Sequence, residues 1–97
     1  MKDQHGHPEA EDIELGELLQ ALADPLRRQV TRELVLLPEG SERTCASLNL
    51  PVSKATLTHH FKILRYSGLI RQVDRGNSRA VQLRRSDIEQ RFPGLLA

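Results

Sequence analysis

Four histidines and one cysteine are the residues of this 97-residue chain best suited to bind a metal or move a proton, and their spacing argues against both. His59 and His60 are adjacent. Neighbouring side chains on a helix diverge by about 100°, so the pair can share neither an ion nor a proton easily. His5 and His7 flank Gly6 in a polar segment with no third ligand nearby, which reads as two solvated imidazoles. Cys45 has no second cysteine, excluding an intrachain disulfide and any Cys-rich zinc cluster. There is no Gly-rich phosphate loop, no carboxylate pair in the basic half, and no nucleophile with a base at helical reach. No enzyme, no metal and no cofactor is expected.

What remains is a chemistry of recognition, concentrated in residues 51–69. Ser53 after Pro51 is a helix start, Leu57, Phe61 and Leu64 recur at helical spacing beside Ile63, and Gly68 supplies a left-handed stop. The opposite side carries Lys54, Ala55, Thr58, His59, Lys62 and Arg65, with no carboxylate among them. Such a face suits an anionic, hydrogen-bonding partner. Double-stranded DNA has these properties: base edges in the major groove, phosphates on either rim. On this reading Ser53, Lys54, Thr56, Thr58 and His59, in the first two turns, reach base edges, while Lys62 and Arg65 reach phosphates.

The charge distribution agrees. A net charge of +1 conceals an acidic first quarter, with one lysine and seven acids over residues 1–24, a net −6. Residues 43–85 hold nine Lys and Arg against Asp74 alone, a net +8. A solvated face ordinarily carries both signs, and this segment nearly excludes one. A winged helix used only for protein binding, the alternative reading, would predict mixed signs there.

The elements that position these groups follow from local pattern. Residues 1–11, polar and without apolar periodicity, read as a disordered N-terminal arm, leaving residues 12–97 as one domain. A helix over 12–23 presents Leu15, Leu18, Leu19 and Leu22 at i, i+3, i+4 and i+7. Asp24-Pro25 is an N-cap with proline at the first helical position, opening a second helix to about residue 37. Residues 44–50 have room for two helical turns before the turn at Pro51. Beyond Gly68 the period becomes two. Residues 69–75 and 78–84 flank Gly76-Asn77, a hairpin turn that sets Arg75 opposite Ser78, Asp74 opposite Arg79 and Ile70 opposite Leu83. Asp74 is thus expected to pair with Arg79, and the hairpin tip to carry Arg75, Asn77 and Arg79 toward DNA. Ser86 to Glu89 reads as a capping box for a last helix, stopped at Pro93-Gly94.

The fold class is therefore mainly α with a β-hairpin wing, a winged helix-turn-helix. Its residues carry a resemblance: Ala21-Leu22-Ala23-Asp24-Pro25-Leu26-Arg27-Arg28, then Ser53 through Leu64 with its His-His pair after threonine, then Ser67-Gly68-Leu69-Ile70 and a Gly-containing wing. Over residues 18–84 the chain resembles the ArsR/SmtB family of dimeric transcriptional repressors. The resemblance implies a homodimer built from the first and last helices, each recognition helix entering one half of an inverted repeat. Leu15, Leu18, Leu19, Leu22, Ile88, Phe92, Leu95 and Leu96 supply apolar surface for that interface. Two departures concern sensing. The segment before the recognition helix is about three residues short and lacks the paired cysteines of metal-binding members. The last helix lacks the Asp and His ligands other members carry. Cys45 is left as a possible thiol switch, its thiolate favoured by a helix start and Arg43, or as a small core residue beside Leu48. No stretch approaches the roughly 20 apolar residues of a membrane span, and a cytoplasmic location is expected.

Overall fold

The computed structural model describes Asp3 and residues 5–96. Among the described residues, four α-helices and a three-stranded antiparallel sheet enclose a core of Ile13, Leu18, Val30, Leu34, Leu64, Leu69, Ile70, Val81 and Ile88. The architecture is a winged helix-turn-helix.

Helix α1 (Leu15–Ala21) is preceded by a 3-10 turn at Ala10–Asp12, so the regular helix starts at the first leucine of the stripe and is shorter at both ends than the expected span 12–23. Only Leu18 and Ala21 are buried along it. Leu15 and Leu19 stand 41% and 51% exposed. The Asp24 side chain caps α2 (Pro25–Val35) by accepting the N–H groups of Leu26 and Arg27 at 2.9 and 3.1 Å, and Pro25 enters without losing a bonded N–H. Val30, Thr31 and Leu34 form its inner stripe.

The strand β1 (Glu42–Thr44) stands where no strand was expected. Three residues of Glu-Arg-Thr carry no apolar alternation, and their extended form comes from pairing with β3 (Arg79–Leu83), in the register Glu42 to Gln82, Arg43 to Val81 and Thr44 to Ala80. The two helical turns expected over residues 44–50 reduce to one 3-10 turn, Ala46–Leu48, ended by Asn49 at φ 49°. Asparagine tolerates that left-handed backbone better than most side chains.

Helix α3 (Lys54–Ser67) has the expected bounds. Ser53 Oγ accepts the Thr56 N–H at 3.2 Å, and Phe61, Leu64 and Ser67 are buried. Burial of a leucine or phenylalanine contributes about 1.5–3 kcal/mol, so the apolar side of this helix anchors it firmly. Gly68 ends it at φ 90°, and a Cβ there would lie 2.6 Å from Ile13 Cγ1, so both backbone sign and close approach require glycine.

The hairpin of β2 (Ile70–Asp74) and β3 has the anticipated register, Ile70 opposite Leu83 and Asp74 opposite Arg79, with Arg75 N–H donating to Ser78 at 2.8 Å. Strand order is β1-β3-β2. Asp74 does not pair with Arg79: its Oδ1 accepts the Gly76 N–H at 3.0 Å, a local bond that needs no rotamer search across the ribbon.

Helix α4 (Arg85–Arg91) opens one residue before the expected capping box, which does not form. Asp87 instead accepts from Arg84 Nε at 3.0 Å, and this buried arginine donates through Nη1 to the Pro8 carbonyl at 2.7 Å. A buried guanidinium demands partners, and satisfying it outweighs the cap. The same bond draws in the segment expected as a free arm. Gly6, His7 and Pro8 are buried against the domain, and Ile13 is a core residue.

Candidate nucleic-acid interface

The outward face of α3 is bounded by two hollows. Toward the wing a groove of about 700 Å³ is lined by Lys54, Thr58 and Arg65 from α3 and by Asn77, Ser78 and Arg79 from the hairpin. Toward α1 a hollow of about 450 Å³ is lined by His59, Lys62, Ile63 and Tyr66 with Glu17, Gln20 and Arg27. The recognition face therefore spreads from Lys54 and Arg65 on the wing side to His59 on the α1 side.

The five residues assigned to base edges differ in what they have free. Lys54 and His59 are exposed, and Lys54 forms no ion pair among the described residues. Ser53 is bound up in the cap, its hydroxyl donating to Thr56 Oγ1 at 2.9 Å while accepting the Thr56 N–H. Thr56 Oγ1 accepts that bond, which leaves its own O–H to donate. Thr58 Oγ1 donates back to the Lys54 carbonyl at 2.9 Å, which leaves its lone pairs to accept.

The cations assigned to phosphates divide likewise. Lys62 lies over the Tyr66 ring, 5.5 Å from its centroid, with its ammonium otherwise in solvent. Arg65 is engaged, donating through Nε to the His5 carbonyl at 3.2 Å and through Nη1 to Gln72 Oε1 at 2.6 Å. At the wing tip Asn77 and Arg79 are exposed and Arg79 joins no ion pair among the described residues. Arg75 is held by Glu42 in a two-point pair. That hydrogen bond lowers the Glu42 carboxyl below its ordinary range and raises Arg75. Glu42 stands one residue outside the basic segment and could be connected to Arg75 only through β1, which no pattern in the sequence announces.

His60 faces inward. Its Nδ1 is 3.2 Å from Arg27 Nη1 and 3.9 Å from Asp24 Oδ2, and it separates from His59 as adjacent helical residues must. Cys45 is half-buried against the core near Leu48, its N–H donating to the Arg79 carbonyl at 2.8 Å. Burial pushes its thiol up, partly opposed by Arg79, so the surroundings disfavour the thiolate expected of a reactive cysteine. Arg43, expected to favour that thiolate, is turned instead to Glu33 at 3.1 Å and to the Ser47 carbonyl at 2.6 Å. Among the described residues no three His, Cys, Asp or Glu side chains converge as a metal site.

Of the residues assigned to a dimer interface, Leu15 and Leu19 are exposed and Leu22, Phe92 and Leu95 are half-buried. Leu18 and Ile88 are fully enclosed by the chain's own core and present nothing to a partner. Their periodicity was right for a buried stripe; a seven-residue helix has one inner row, and Leu18 occupies it.

No family model matches this sequence, and no curated protein does. Solved structures do resemble it. An ArsR family transcriptional regulator superimposes with a TM-score of 0.67 at 27% identity, covering 78% of this chain and 81% of the other. The ArsR-like transcriptional regulator from Rhodococcus sp. RHA1 has a TM-score of 0.62 at 24% identity over 78% of this chain and 70% of its own. The transcriptional repressor BigR from Xylella fastidiosa has a TM-score of 0.62 at 20% identity over 80% and 85%. The last two share the fold.

Proposed function

Because the chain is an ArsR/SmtB-like winged helix-turn-helix protein, we propose that it is a DNA-binding transcriptional regulator, a repressor that binds an inverted repeat as a homodimer. The observation that carries this reading is the α3 face: Lys54, Thr58, His59 and Lys62 point outward with no carboxylate on that face of the helix, and Arg79 and Asn77 of the wing border the groove beside Lys54 and Thr58, where Asp74 is the one acid. A helix entering a major groove places such short polar and cationic groups against base edges and rims, and a wing beside it reaches the adjacent backbone or minor groove.

In the dimer, the exposed Leu15 and Leu19 of α1 meet their counterparts, with Leu22, Phe92, Leu95 and Leu96 contributing partly exposed surface. The proposed regulation uses no metal at these residues: Cys45 is a lone thiol, and the two acids of the last helix, Asp87 and Glu89, accept from Arg84 and from the Gly94 N–H.

Titration of the protein against a duplex pool at several salt concentrations tests the reading. Each phosphate neutralised on duplex DNA contributes about −0.9 to the slope of log affinity against log salt, so a steep negative slope is expected. A flat response would eliminate DNA binding and leave a protein-interaction module.

A further inference from the structure

His7 is a histidine only 5% exposed, with a partner at each ring nitrogen. Its Nε2 accepts the main-chain N–H of Gln72 at 3.0 Å, and its Nδ1 is 3.1 Å from Asp3 Oδ2. An Nε2 that accepts carries no proton, so the ring is neutral with its hydrogen on Nδ1, donated to the carboxylate. Asp3 also accepts the N–H groups of His5 and His7, which hold its carboxyl down at about 2.

The Gln72 N–H belongs to the outer strand of the sheet, so His7 closes a backbone group that β3 does not. The rest of the arm is seated by shape. Gly6 lies flush on Tyr66 at φ 87°, and a Cβ there would fall 2.1 Å from the ring. One residue earlier, the His5 carbonyl takes Arg65 Nε. The segment that His7 fastens is therefore the segment that occupies Arg65, a cation of the recognition helix.

We propose that His7 is a proton-operated latch: neutral, it holds the arm across β2 and the end of α3; protonated, it releases the arm and frees the Nε of Arg65, at the edge of the recognition groove, while Nη1 stays on Gln72. A second ring proton would sit on Nε2 against the Gln72 N–H, donor facing donor. Burial pushes the His7 pKa down, and Arg71 of β2 and Arg65 of α3 act in the same direction; Asp3 opposes them. Glu9, Glu11, Arg84 and Asp87 border the same hollow. With the docked value below that of the free arm, docking is complete above the ordinary imidazole range near 6.5 and weakens as pH falls from there through the lowered value. Asp3 weakens only in a separate, far more acidic window.

Nitrogen-15 resonance of the full chain between about pH 7.5 and pH 5 tests the latch directly. The expected result is an Nδ1–H tautomer for His7 at neutral pH and a Gln72 exchange protection factor that falls, by up to about tenfold per pH unit, in step with His7 titration while Val81 keeps its own. His7→Gln should abolish that step. A proton on Nε2 at neutral pH, or Gln72 protection independent of His7, overturns the latch. The consequence for Arg65 rests on the proposed DNA binding. At constant neutral pH, His7→Ala should steepen the salt slope by about one contact relative to wild type, and His7→Ala with Arg65→Gln should not. Equal slopes in both would overturn release of Arg65, whereas no DNA binding by any variant would sink the proposed function and leave the resonance result standing.

Discussion

Arg75 at the wing and Glu42 on β1 are locked together at two points, Nε to Oε1 at 3.1 Å and Nη2 to Oε2 at 2.8 Å. The wing cation nearest the turn is thus neutralised before any DNA arrives, and the geometry is the bidentate one in which arginine binds carboxylate most specifically. Glu42→Gln should free Arg75 for phosphate, raising affinity for duplexes of any sequence and steepening the salt slope by about one unit. Parallel titrations of wild type and variant measure it; an unchanged slope would place Arg75 outside the DNA path.

Reading and anchoring should separate along α3. Lys54 and His59 are exposed in the first turns, whereas Lys62 lies farther along with Tyr66 beneath it. Lys54→Ala or His59→Ala should change which sequences are preferred, while Lys62→Ala should weaken all of them and lower the salt slope by about one. Selection from a randomised duplex pool, followed by salt titration, checks both; uniform losses from all three substitutions would refute the division.

Neighbouring leucines on α1 should behave in opposite ways. Leu18 is fully buried and Leu19 half exposed, so Leu18→Ala should cost about 2–5 kcal/mol in urea unfolding. Leu19→Ser should leave monomer stability nearly unchanged but shift sedimentation toward the monomer. A dimer insensitive to Leu19→Ser would remove this face of α1 from the interface.

Acid should undermine the entry to α2. The N–H groups of Arg27 and Leu26 hold the Asp24 carboxyl below its ordinary value near 3.8, with His60 and the Arg27 charge adding to the effect. A lowered carboxylate pKa contributes stability that is present above the ordinary value and lost as pH falls through the lowered one. Asp24→Asn keeps a competent cap without that titration. Its Tm deficit relative to wild type, measured along an acid series, should therefore shrink below about pH 4; a constant deficit would contradict the mechanism.

Where the chain announced its structure, the signals were local. Ser53, the apolar spacing of Leu57, Phe61 and Leu64, and Gly68 define α3 within its own length, and Gly76-Asn77 alone sets the hairpin register. What stayed hidden depends on distant partners. β1 is a strand only because β3 runs beside it, and the Glu42 carboxylate on Arg75 and the His5 carbonyl on Arg65 lie 33 and 60 residues away in sequence. The candidate interface was thus legible as a set of residues, but not as a set of free side chains. Only the side-chain partners show that Lys54, His59, Lys62 and Arg79 are accessible while Ser53, Arg65 and Arg75 are committed.

The strand order β1-β3-β2 leaves the sheet two flanks, and both are blunted. β1 offers three residues, with Glu42 and Arg43 tied into ion pairs, and on β2 the His7 ring already sits on the Gln72 N–H. A neighbouring chain seeking to extend the sheet would find no long bare ladder, which is how small β-containing proteins avoid edge-to-edge aggregation. Two copies that meet are thereby steered away from strand addition and toward contact through their helices.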